Sequence, residues 1–300
     1  MSPISISSDR YVTYFDKDSE PAVEVASGAV VQLTTMDWCF NRVTGDPTTY
    51  LRATQTPRCP ATGPVAVKDL HAGDTLAVEI LDIEVHGPGH TVIRPGSGVM
   101  GDIVRSVRVA EIPIESGCAV FPGGTRVPIQ PMLGVMGVAP DGERIPTLYS
   151  GPHGGNLDTR EIRAGATVYL PVATGGGLLS VGDAHAVMGD GELSGSGVEV
   201  AADVTLRPVA IPGWKIAEPR IENKKYMITL ATDADFTAAV RRAGRAMVEW
   251  IHEKARVEFD EAYLLLGTCG QTRVSQVVNA TGPTVKILFP CEFLQNRNLF

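Results

Sequence analysis

Three absences narrow the field first. The chain has no Cys-x-x-Cys, no long apolar run and no cluster of lysine or arginine. Its five cysteines, Cys39, Cys59, Cys118, Cys269 and Cys291, are scattered through 300 residues. A chain of that length can bury a sizeable core without staples, so neither a disulfide framework nor a thiolate zinc site is expected. No stretch approaches the ~18 uninterrupted apolar residues of a membrane span. The most apolar window, residues 167–187, is broken by Gly175, Gly176, Gly177, Asp183 and His185. Residues 1–15 show no basic start and no apolar run of the signal-peptide kind, and a soluble, cytoplasmic protein is expected. Lys and Arg number 26 against 34 Asp and Glu, a net charge of -8. That balance argues against nucleic acid or an anionic membrane as a partner. Also missing are the GxSxG elbow, the Walker A sequence and HExxH.

What is present is turn chemistry. The 32 Gly and 21 Pro have no triplet period, which favours a turn-rich β fold. One local pattern occurs three times: a small residue and a glycine, Gly28, Gly73 or Gly165, followed by an alternating apolar run. A glycine at positive φ makes the tight turn, and alternation suits a strand with one buried face. In residues 75–85 the apolar phase changes between Ile80 and Ile83, which predicts a bulge or a change of sheet. Further strands are expected at 106–114, 167–172, 198–207, 226–232 and 285–289. Helices are expected late. Phe236, Val240, Ala243, Met247, Trp250 and Ile251 step by three and four, with Asp233 or Asp235 as N-cap. A second helix is expected from about Asp260 to Gly267. The expectation is a mainly β (α+β) protein read as a single unit over residues 1–300, with residues 87–101, rich in Gly and Pro, as the best internal boundary or excursion.

The polar residues concentrate in two glycine-rich pieces, 151–158 and 182–192, which hold His153, Asn156, Asp158, Asp183, His185, Asp190 and Glu192. Imidazole with carboxylates is the usual ligand set of a catalytic zinc-type ion, and glycine lets backbone approach a ligand closely. His153 and His185 are open to ligand or catalytic roles. His71, His86, His90 and His252 read as ordinary hydrogen-bonded side chains. Asp183, Asp190 and Glu192 could form a calcium loop, although the EF-hand spacing is absent and imidazole is a poor calcium ligand. Cys118 or Cys39 could serve as a nucleophile, but a buried small hydrophobe is the plainer reading.

Several pieces together resemble the acetamidase/formamidase family of amidohydrolases. They are residues 59–65 (CPATGPV), 72–80 (AGDTLAVEI), 131–140 (PMLGVMGVAP), 153–158 (HGGNLD), 182–192 (GDAHAVMGDGE), 262–267 (AYLLLG) and 274–278 (VSQVV). Their order spans nearly the whole chain. Departures occur at Cys59, where the family often has Asn, at Trp38 inserted after Asp37, and at Gln271. These departures bear on the substrate and the rim of the site. The resemblance implies a β-sandwich-like core with added α/β elements, hydrolysis of a short amide to carboxylate and ammonia, a divalent metal, and a homo-oligomer built as a dimer or dimer of dimers. Zinc is the first expectation for the metal, with calcium second. Asp37, His153 and His185 lead as ligands, followed by Asp183. Glu192, Asp190 and Asp158 are then acid–base candidates, and Asn156 a donor to the developing oxyanion. A non-hydrolytic β-sandwich binding protein or lyase with a structural metal is the alternative.

Overall fold

The structure, a computed structural model, describes residues 3–55 and 57–295. Seventeen strands form one curled sheet, antiparallel throughout except where Ile4–Ile6 runs beside Val31–Thr35 and Val23–Val25 beside Ala61–Val67. The long strands Thr75–Ile93 and Val198–Ile211 form its spine. The sheet closes over an apolar interior that includes Leu33, Val65, Leu76, Val78, Ile80, Leu133, Val181 and Val204. This is the mainly β fold that the alternation predicts.

The three glycine turns are as expected. Gly28, Gly73 and Gly165 have φ of 83°, 91° and 84°, and each leads into a strand. The phase change is a bulge: Ile80 faces Leu206 and Asp82 faces Thr205, so Leu81 is the unpaired extra residue. The segment 87–101 begins as strand. Residues 87–93 continue Thr75–Ile93, of which 89–93 pair with Arg108–Ile112, and a turn closed from the Gly96 amide to the Gly101 carbonyl follows. A second irregularity lies there, because His86 faces Ala201 while His90 faces Glu199. The strand expected at 106–114 is divided into Arg108–Ile112 and Ile114–Glu115. The strand expected at 226–232 has those bounds.

Helix α1, Pro47–Ala53, corrects the expectation that helices come only late. Asp46 caps it and Pro47 occupies its first turn, the usual chemistry of a helix start. Helix α2, Phe236–Ala255, is capped by Asp235, whose carboxylate accepts from the Thr237 and Ala238 amides. Its Ala243, Met247, Trp250 and Ile251 face pack on Met227, Ile287 and Phe289 of two strands. Helix α3, Phe259–Cys269, follows, and a short helix α4, Glu292–Gln295, lies near the C-terminus. Phe15, Trp38, Tyr50, Cys59, Val92 and Val135 form a separate apolar cluster, and Trp38 and Cys59 of it border the site.

Candidate active site

Strand Leu179–Val187 runs through the middle of the sheet and carries Asp183 and His185 two residues apart, so both face the same side. Asp158 follows the short strand Gly154–Asn156. Glu192 sits in a turn whose Gly191 is bonded to the backbone of Ser275 and Val277. Glu199 enters from the start of Val198–Ile211. All five side chains are buried. His185 Nε2 lies 3.0 Å from Glu199 Oε2 and 3.5 Å from Asp183 Oδ1. Ligand atoms of Asp158, Asp183 and His185 lie within 4.8 Å of one another, and so do those of His185, Glu192 and Glu199. Glycine makes the room: a Cβ at Gly134 would meet Asp158 Oδ1 at 2.6 Å, and one at Gly197 would meet His185 Nδ1 at 2.7 Å.

The cluster floors a cavity of about 210 Å³ whose wall also includes Asn156, Asn279, Cys59 and Trp38. Asn279 Nδ2 donates to Asp158 Oδ2 at 2.6 Å. The Cys59 thiol points at Asp183 Oδ2, 3.8 Å away. Four residues of this wall take left-handed backbone: Cys59 (φ 55°), Asp158 (42°), Asp183 (55°) and Glu192 (44°). Non-glycine residues in that region cost energy, and such strain collects at functional sites.

Crowded carboxylates in a dry site hold their protons. Burial, and then Asp183, raise Asp158 to about 6. Burial and Asp158 push Glu192 well above the ordinary range, and Glu192 hydrogen-bonds Asp158. Burial raises Glu199 to about 7 against the opposing pull of His185. Burial alone would lower His185, but Glu199 and Asp183 outweigh it and the imidazole is driven well up. Asp158 Oδ1 and Asn156 Oδ1 have no hydrogen-bond partner, and Asp183 Oδ1 and Glu199 Oε2 share the single His185 Nε2. Unpartnered buried acceptors around an imidazole fit a divalent cation, which would satisfy them and relieve their repulsion. The mixed nitrogen and oxygen set suits a zinc-type ion better than calcium.

The other expected residues are not among the converging ligand atoms. His153 packs edge-on to Phe15, ring centroids 5.1 Å apart; its Nε2 is unpartnered, and burial lowers it to about 4, keeping it neutral. Asp37 accepts from the Cys39 and Asn41 amides through Oδ1, and its Oδ2 is 3.7 Å from His90 Nδ1. Burial raises Asp37 to about 6. Asp190 is bound by the buried Lys286 ammonium at 2.6 Å. Burial raises the Cys39 and Cys59 thiols, which opposes the thiolate that a cysteine nucleophile needs. Cys118 lies in a separate three-stranded sheet. Glu199 and Asn279 are site residues that sequence reading missed, while Cys59, read as a departure at the rim, does stand in the wall. His90 also borders the site: its Nε2 accepts from Trp38 Nε1 at 3.1 Å. Tryptophan only donates, so in the neutral ring the His90 proton is on Nδ1, facing Asp37.

The Acetamidase/Formamidase family model matches residues 7–147 and 142–296. The chain belongs to that family. An acetamidase of Bacillus halodurans has the same fold, with a TM-score of 0.93 and 36% identity over 97% of this chain and 98% of that one. A predicted acetamidase/formamidase of Thermoanaerobacter tengcongensis gives 0.90 and 34%, covering 98% of each. An acetamidase of Mycolicibacterium smegmatis is 30% identical over 156 residues, 44% of this chain and 37% of that protein. The chain spans less than half the length of the curated relatives it matches. No helix among the described residues is long and apolar enough to cross a membrane.

Proposed function

We propose that this chain hydrolyses a short linear amide to a carboxylate and ammonia with the help of a divalent ion, zinc before calcium. The carrying observation is the buried convergence of Asp158, Asp183 and His185 on unpartnered acceptor atoms beneath a small cavity. An amide carbonyl is a poor electrophile and an amine a poor leaving group. The site must therefore supply a nucleophile, charge stabilisation and a proton for nitrogen. Asp158, Asp183 and His185 would hold the ion, which when bound supplies Lewis acidity toward water and the amide carbonyl. Glu199 faces the same His185 Nε2 as Asp183 does, so it would join them as a further ligand. Glu192, kept protonated by burial and Asp158, holds the proton that the leaving nitrogen needs. The cavity, about 210 Å³, admits a substrate of a few heavy atoms.

The test is ammonia release from formamide, acetamide, propionamide and a lactam, with and without a chelator, alongside elemental analysis. Turnover of a linear amide that disappears with the metal and returns on its addition is expected. Metal-saturated protein that releases ammonia from none of them would sink the reading. The chain is taken as a single cytoplasmic unit that assembles into a dimer or dimer of dimers, which light scattering checks.

A further inference from the structure

The floor of the cavity is acidic, but its wall also includes Arg58 and Arg94. Among the described residues, neither guanidinium has a carboxylate oxygen within 4.0 Å. Each lies beside an aromatic side chain instead. Arg58 Cζ sits 5.5 Å from the Trp38 centroid, and Arg94 Cζ sits 5.7 Å from that of Tyr50, whose hydroxyl accepts from Arg94 Nη1. The two rings are themselves 5.9 Å apart, so the arginines stand on neighbouring platforms. Helix α1 exists at this point of the chain to supply Tyr50, and the residue inserted beside Asp37 supplies Trp38.

A guanidinium held beside a ring, or by a phenol hydroxyl, keeps its charge and most of its N–H donors. Two such groups make a site for a planar anion, carboxylate above all. Formamide and acetamide carry no charge and have no use for it. In a chain of net charge -8, an anionic substrate needs a local positive rim to enter. We propose that the physiological substrate is an amide whose far end is a carboxylate, the monoamide of a short dicarboxylic acid, with Arg58 and Arg94 holding that carboxylate while the amide meets the metal-binding floor. This rests on the amidase reading above. In the step, a water oxygen bonds to the amide carbon, the C–N bond breaks, both protons of the water pass to the nitrogen, and a dicarboxylate and ammonium leave.

The probes are malonamate, its neutral isostere malonamide, and the product malonate, all used with metal-saturated protein. The wild type should favour malonamate over malonamide in kcat/KM by about tenfold or more. Arg58→Met and Arg94→Met should collapse that ratio, mainly through KM, and Arg58→Lys should restore part of it. Thermal melts confirm that the variants fold. Malonate binding, read by calorimetry without turnover, should weaken about tenfold in either methionine variant. A wild type that prefers malonamide, or a ratio unmoved in folded variants, would overturn the proposal. Acetamide turnover with malonate binding indifferent to both arginines would overturn it while leaving the amidase reading intact. Arginine-dependent malonate binding in a protein that cleaves no amide would support the anion site and reject the amidase.

Discussion

Two buried groups of charged side chains grow from neighbouring residues, and they differ in how they are satisfied. Lys286, fully buried, donates to Glu161 and Asp190 at 2.6 Å each. Three and two residues away along the chain stand Asp158 and Glu192, where carboxyl groups face one another and acceptors lack partners. The first group is complete with protein atoms alone and acts as a brace across the segments that carry the second. The second is left incomplete and strained. Residue type does not separate them, since both are made of carboxylates with one basic group. Satisfaction does, and it is the physical mark of a site that awaits something from outside.

The largest expected effect falls on the incomplete group. Glu192→Gln keeps size and removes the ionisable proton, so turnover should drop about 10²–10⁴-fold with metal content and substrate affinity retained. Loss of metal as well would make Glu192 a ligand, and unchanged turnover would leave it a turn residue. The braced group should answer in stability instead. Lys286→Met strands the buried Glu161 carboxylate and should cost about 3–5 kcal/mol in denaturant unfolding. A variant of wild-type stability would show that the brace is not a brace. Met247→Ala, in the fully buried face of α2, should cost about 2–5 kcal/mol and leave turnover per folded molecule unchanged. Lost turnover at normal stability would tie α2 to the chemistry.

The smallest effect separates the groups by pH. Asp158 and Glu199 are raised to about 6 and about 7 in the metal-free fold. The folded state therefore holds protons that the unfolded chain has released. The stability they contribute is full below about pH 4 and is lost as pH rises through 6 to 7. Chelator-treated protein should show a melting temperature that falls between about pH 4 and pH 7, at roughly 2–4 °C for each kcal/mol. Metal-saturated protein should show a flatter profile. A flat profile without metal would mean that the carboxylates do not burden the fold.

Periodic segments were the legible part of the fold. Strand Tyr226–Thr232 and helix α2 were read from alternation and from the three-and-four step, because each has one wet and one dry face. Helix α1 has seven residues and too few turns to display a period; Asp46-Pro47 was its only signal. In the site, Asp158, Asp183, His185 and Glu192 stood out because they punctuate glycine-rich turns. Glu199 lies between two valines and reads as an ordinary strand acid. Its role depends on Val198–Ile211 pairing with Leu179–Val187, which no local pattern encodes. His153 belongs to the same glycine-rich piece as Asp158, yet it turns toward Phe15.

Strand Thr75–Ile93 contains an odd step at Leu81 and a second irregularity between His86 and His90. Because side chains alternate, what matters along such a strand is parity. Between His86 and His90 this strand takes four steps where its partner takes two, from Ala201 to Glu199, so the surplus is even and both histidines keep one parity. At Leu81 the surplus is one, and parity changes there. Gly87, Pro88 and Gly89 take up the even surplus, and directly beyond them His90 meets Trp38. Deleting one residue from 87–89, with the strand beyond sliding back by one, would bring Thr91 to Trp38 in place of His90.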